Sequence, residues 1–139
     1  MNAKQAVNNF LESLPELKKL KKGKIPFDAA RGYFVGLDGR KVLCDSEHLM
    51  LAGYLQNGEA IVMKMWIREW KRLADEAGLW YKLVDFVHDE VQVEVKTEED
   101  SKKLQDIQAT AINTVAKQLD LYCPLEVESA TGTNWAETH

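Results

Sequence analysis

Cysteine, proline and histidine are scarce in this chain, with two, three and three copies among 139 residues. Cys44 and Cys123 stand far apart and without CxxC spacing. They read as reduced thiols of a cytosolic protein rather than as a disulfide framework. No second His or Cys stands at ligand spacing from any of the histidines, so a zinc site is not encoded. A run of about 18 apolar residues is missing, which excludes a transmembrane helix and leaves no membrane partner. Met1 to Gln5 lack the apolar core of a signal peptide. Also absent are a Ser-His-Asp set, a phosphate-cradling glycine-rich loop, an internal repeat and a low-complexity tract. What is left is a globular chain, 45% hydrophobic and long enough for one domain with one core.

Charge is unevenly spread. The net charge is −4, which argues against an autonomous nucleic-acid binder. Residues 1–45 carry nine Lys/Arg against five Asp/Glu, and residues 46–139 carry nine against seventeen. The positive excess gathers at Lys18, Lys19, Lys21, Lys22 and Lys24. A solvated loop accounts for that run as well as phosphate contact does, and phosphate contact would bring salt-dependent affinity without sequence choice.

Hydrophobic spacing predicts an α+β fold, antiparallel hairpins packed against amphipathic helices. Residues 2–13 read as a helix, and Pro15 either ends it or opens a second short one. Gly23 and Pro26 mark an irregular basic connection. Asp38-Gly39 between apolar runs is a hairpin signal, because both residues tolerate positive φ. Asp45 or Ser46 can cap a helix that bends or breaks at Asn57-Gly58. Beyond that point Val62, Trp66, Trp70, Leu73 and Ala77 form an apolar stripe that Gly78 terminates. Residues 80–95 read as a second hairpin with Val91, Val93 and Val95 turned inward. Thr97 caps a helix carrying Leu104, Ile107, Ala111, Val115 and Leu119, and the alternation at Leu125 and Val127 suggests a last strand.

The tip of that second hairpin is His88-Asp89-Glu90-Val91-Gln92. A carboxylate pair on a hairpin tip can hold a hard divalent cation in water-accessible space, and Mg²⁺ asks for only one or two protein carboxylates. Asp89 is short and suited to direct ligation. In a regular strand Glu90 faces the other way, so sequence leaves open whether both acids share an ion. His-Asp is also an ordinary turn pair, since both tolerate left-handed backbone.

These five residues resemble the C motif of the family A DNA polymerases, the DNA polymerase I family. Other segments agree in chain order. Gly36 to Val42 resembles the hairpin preceding the primer-contacting helix of phage replicative polymerases, and Tyr54 to Ala60 the segment that follows. Thr133-Asn134-Trp135-Ala136 with terminal His139 resembles the end of the phage enzymes. The resemblance spans essentially the whole chain and implies the second part of the palm with a little of the fingers, as one C-terminal domain over residues 1–139. It implies catalytic roles for Asp89, Glu90 and His88. Asp89 is then a metal-binding aspartate shared by two Mg²⁺ ions, Glu90 a supporting acid, and His88 a neighbour of the primer terminus. It places Gln56 and His48 at the minor groove, where acceptors are similar for all base pairs, and Gln92 with the lysines among the DNA-binding residues.

Ala52 departs from the pattern, four residues before Gln56, where the family commonly has a polar residue. The first-palm aspartate, the fingers lysine and tyrosine, the exonuclease region and the thumb have no counterpart here. The expected partners are therefore primer–template DNA, a dNTP and a larger chain carrying the other catalytic aspartate and the fingers helix. Alone, the chain is expected to be inactive. Trp66, Trp70, Trp80, Trp135 and Phe10 are candidates for a docking face, though each by itself is more often core. Exposed edge strands would let the chain form a homodimer in isolation. The location implied is the cytoplasm, the host's if a phage encodes it. Two other readings stay open: a primer–template or replication-protein binding module without catalysis, and a truncated fragment.

Overall fold

Asn2 opens the first helix with a reciprocal cap. Its side chain accepts from the Gln5 N–H at 3.0 Å, and the Gln5 side chain accepts from the Asn2 N–H at 3.3 Å. Both bonds satisfy donors that a helix start leaves orphaned, and α1 (Ala3–Ser13) follows. Pro15 then starts α2 (Pro15–Lys19) at the position where its missing N–H costs nothing. The expected irregular connection at Gly23 and Pro26 does not form. Leu20–Lys24 is a π-helical turn leading straight into α3 (Ile25–Arg31), with Pro26 in the tolerant first turn.

The computed structural model describes residues 2–44 and 46–138, which fall into two compact units, Met1–Gly58 and Glu59–His139. In the first unit Gly32, at φ +77, ends α3, and β1 (Tyr33–Val35) pairs antiparallel with β2 (Lys41–Leu43). Ile25, Phe34 and Met50 form its small core, with Tyr54 edge-on to Phe34 at 5.5 Å. Asp28 is fully buried between Lys24 at 2.9 Å and Arg31 at 2.7 Å. Such a carboxylate needs its cations, because an unpaired buried charge is costly.

Helix α4 (Glu47–Glu76) has no break at Asn57-Gly58 and runs for 30 residues. Of its two expected caps, Asp45 lies outside the described residues. The Ser46 carbonyl accepts from the N–H groups of Leu49 and Met50 at 3.1 and 3.0 Å. A mid-helix glycine costs about 1 kcal/mol. Phe34 and Leu37 pack alongside the helix at ordinary contact distance: a Cβ at Gly53 would lie 3.7 Å from the Phe34 ring, and one at Gly58 3.6 Å from Leu37. The first hairpin lies that close to the helix.

In the second unit the end of α4 packs with β3 (Tyr81–Val87), β4 (Glu90–Val95) and α5 (Glu98–Gln118). Trp66 and Trp70 are core, as the stripe predicts, but the stripe is rotated. Met63 and Ala74 complete the buried face, while Ala77 lies beyond the helix end and is exposed. The Trp66 indole N–H donates to the Gln108 carbonyl at 2.9 Å, tying α4 to α5. Thr97 caps α5 by accepting from the Asp100 N–H at 3.0 Å. Leu104, Ala111 and Val115 are buried as expected, and Gln108, Ile112 and Ala116 join them. Leu125 and Val127 are half-buried against this core, yet no strand forms there among the described residues. Alternation puts side chains inward, but a strand also needs a free edge in register. The architecture is α+β, two antiparallel hairpins with amphipathic helices.

Candidate functional site

The β3–β4 register decides what gathers at the hairpin tip. Tyr81 pairs with Val95 and Leu83 with Val93 at the base. Val84 is an extra residue, so the pairing resumes as Asp85 with Gln92, Phe86 with Val91 and Val87 with Glu90. His88 and Asp89 are left as a two-residue turn, with His88 in the left-handed region at φ +53. A non-glycine residue there costs roughly 1–2 kcal/mol. Alternation from the turn sets Asp85, Val87, Glu90 and Gln92 on one face and turns Phe86 and Val91 to the other.

That face lines a cleft of about 240 Å³, formed by Asp85, Val87, His88, Asp89, Glu90, Gln92 and Trp135. Asp89 and Glu90 therefore share one cleft, because the turn breaks the alternation that would part them. Three carboxylates and no Lys or Arg line it, so its field favours a cation. The Gln92 amide donates to the Glu90 carboxylate, and the Phe86 N–H donates to Asp85 at 2.8 Å. Carboxylate oxygens suit Mg²⁺. Among the described residues, however, no three His, Cys, Asp or Glu side chains converge as a metal cage. The donor set fits a shared ion, as one part of its shell.

Sequence alone missed Asp85 as a lining residue. Counting back from a two-residue turn pairs it with Gln92, so the signal was present once the turn length was known. Trp135, exposed at 48%, enters from a 3₁₀ turn at Trp135–Glu137. Trp80 and Phe10 are also exposed, whereas Trp66 and Trp70 are not available for docking. His139 lies outside the described residues.

The remaining candidates belong to the first unit. His48, Ala52 and Gln56 fall at i, i+4, i+8 on one exposed face of α4. The lysine run is helical and largely paired: Lys18 with Glu12 at 2.6 Å, Lys19 with Glu16 at 2.8 Å, Lys24 with Asp28 at 2.9 Å. The Lys18 ammonium, hydrogen-bonded to Glu12, holds that carboxyl below its ordinary range. Among the described residues Lys21 and Lys22 have no carboxylate within ion-pair distance.

The comparisons with known proteins point one way. The family model of DNA polymerase family A matches residues 1–137. The DNA-directed DNA polymerases of Enterobacteria phage T3 and Escherichia phage T7 are each 30% identical over 156 aligned positions, covering 98% of this chain and 22% of those proteins. The DNA polymerase I of Caldicellulosiruptor bescii is 28% identical over 148 positions. The chain spans about a fifth of the length of these curated relatives. In fold it is similar to the POL domain of Pol1 from M. smegmatis, solved in complex with DNA primer-template and dNTP. The TM-score is 0.72 at 16% identity, over 81% of this chain and 22% of that one. With the family model matched over nearly its whole length, this chain belongs to DNA polymerase family A.

Proposed function

We propose that this chain supplies the C-terminal palm portion of a template-directed DNA polymerase, with Asp89 and Glu90 as the part of its metal site carried here. The observation that supports this most is the shared cleft: a two-residue turn brings both acids to one side, within a chain of this family. A bound Mg²⁺ would supply polarised phosphate oxygens and a more acidic attacking hydroxyl. Asp89, short and on the turn, is the direct ligand. Glu90 is oriented by the Gln92 amide and plays the supporting part. His88 sits beside them as a hydrogen-bonding group for the primer terminus. With no three-ligand cage among the described residues, the chain by itself holds the ion weakly. A larger polypeptide carrying the other catalytic aspartate and the fingers helix completes the site, and the isolated chain is inactive.

Gln56 and His48 suit the minor groove of primer–template DNA, since they share an exposed helix face. Lys21 and Lys22 are the lysines whose charge remains for phosphate. Lys18, Lys19 and Lys24 would first give up a carboxylate. A second reading, a duplex-binding module without catalysis, draws on the same residues and on the missing third ligand.

Affinity capture from the native source, followed by primer extension on the eluate with Mg²⁺, tests the first reading. A copurifying larger chain, with extension that Asp89→Ala abolishes, is the expected result. Extension unaffected by Asp89→Ala would overturn it. Duplex affinity that falls steeply with salt, without extension, would favour the binding module.

A further inference from the structure

The outer half of the second hairpin is thinly packed. Val84, Phe86 and Val87 are 60%, 38% and 49% exposed, and Val91 is the outer position that joins Tyr81, Leu83, Val93 and Val95 on the core. A two-stranded ribbon with little packed against it is marginal in water. Even so, the tip carries the acids. Among the described residues that line the cleft, Trp135 is the one that comes from elsewhere in the chain, and it forms one wall where the tip itself forms the others.

The segment delivering Trp135 is built rather than loose. Leu125 and Val127 seat on the core. Thr131 Oγ1 then bonds two side chains of α5, Ser101 at 2.8 Å and Gln105 at 2.9 Å. Glu137 closes the end by accepting from the Thr133 N–H at 2.6 Å and from the Asn134 amide at 2.9 Å. Asn134 in turn accepts from the Ala136 N–H at 3.1 Å. Gly132 has no room for a side chain, since a Cβ there would lie 2.5 Å from the Glu137 Cβ.

We propose that residues 131–138 form a strap that seats Trp135 against the acid tip and fixes the tip's geometry, making Trp135 a positioning residue for Asp89 and Glu90. The significance of this rests on the reading of the tip as a metal-binding hairpin. The strap does for the tip what the core does for the base: it limits the ways in which two carboxylates on a turn can point. Outer groups that orient metal ligands are worth about 10- to 100-fold in metal affinity.

The test is solution NMR on the full chain, reading backbone order from heteronuclear NOEs at His88, Asp89 and Glu90 without metal, and then titrating Mn²⁺ as the probe ion. Trp135→Ala should lower those NOEs and raise the Mn²⁺ concentration that broadens the Asp89 amide by roughly tenfold. Trp135→Phe should restore both, because it keeps a flat apolar wall. Gly132→Ala, which keeps the Trp135 side chain but displaces Glu137 and so unseats the strap, should reproduce the loss. The inference is overturned if Trp135→Ala leaves the tip NOEs unchanged, or if the NOEs fall while Mn²⁺ broadening is unmoved. If Mn²⁺ fails to broaden the wild-type tip at all, the metal reading of this chain fails, and the NOE comparison alone decides the strap.

Discussion

The β1–β2 hairpin bends with Gly39 at φ +80, and the β3–β4 hairpin bends with His88 at φ +53. The first turn places in the left-handed region the one residue that has no Cβ to clash there. The second places an imidazole there, beside three carboxylates. Below the turns the contrast reverses. Phe34 of the short first hairpin is 1% exposed, while Val84, Phe86 and Val87 on the outer part of the second one are exposed and only Val91 there still packs on the core. The first hairpin is optimised as structure. The second is anchored at its base and keeps a strained, exposed turn where the acids sit, the pattern expected where backbone strain serves a site.

The comparison breaks most readily at the anchors. Trp70 of α4 is fully buried and meets Tyr81 of the second hairpin edge-on at 5.2 Å, and Phe34, itself in the first hairpin, is buried and meets Tyr54 of α4 edge-on at 5.5 Å. Trp70→Ala and Phe34→Ala should each cost about 3–5 kcal/mol, a large share of a domain's stability. Chemical denaturation followed by circular dichroism measures both. If either costs less than about 1 kcal/mol, that hairpin is not held by its aromatic.

Acids at the two turns should then separate by function. In the completed polymerase, Asp89→Ala should reduce primer extension by at least about 10²-fold, the scale for removing one preorganised charge. Because the tip is exposed, stability should change by no more than about 0.5 kcal/mol. Asp38→Ala, at the first turn, should leave extension unchanged. It breaks a contact with Arg40: desolvation is the largest single influence on the Asp38 carboxyl and pushes it up, and the Arg40 N–H groups together outweigh it and hold the carboxyl low. Equal losses from both variants would mean that the acids act through folding.

Much of this was legible in the sequence because it rests on local rules. Asp38-Gly39 announced a turn, Thr97 a cap, Gly78 a helix end, and His88 to Gln92 a hairpin tip, each from a few neighbouring residues. The unbroken α4 was not legible. Asn57-Gly58 is a break signal taken alone, and nothing in its neighbouring residues announces that Phe34 and Leu37 pack along α4 there. The lysine run was misjudged for the same reason. Glu12, Glu16 and Asp28 meet its lysines only once the segment is helical. In the site, Asp89 and Glu90 were readable as a pair, but their shared cleft and the place of Asp85 beside them both depended on turn length.

A smaller effect tests the strain directly. His88→Gly should stabilise the isolated chain by up to about 1 kcal/mol, since the left-handed penalty disappears and is partly offset by glycine's greater freedom when unfolded. Gly39→Ala should destabilise by about 1–2 kcal/mol. The opposite signs, read as shifts in denaturation midpoint, would confirm that the second turn alone stores strain. In the completed polymerase His88→Gly should lower extension even as the fold gains stability.

The most restricted effect lies at the hairpin's base and appears only in alkali. Burial, aided by donation to Asp75 at 2.9 Å, pushes the Tyr81 hydroxyl up to about 12 from its usual value of 10. The folded state therefore prefers neutral Tyr81. Its contribution is fully present below pH 10 and is lost as pH rises from about 10 through about 12. Tyr81→Phe should flatten that limb of the stability profile by on the order of 1–2 kcal/mol, the scale of a hydrogen bond to a charged group. Lysines titrate in the same window in both proteins, so the difference between the two profiles isolates the tyrosine. An unchanged difference across that window would mean that the base is held by the aromatic contact with Trp70 and owes nothing to Asp75. The two hairpins would then be anchored by the same kind of contact, and their turns alone would set them apart.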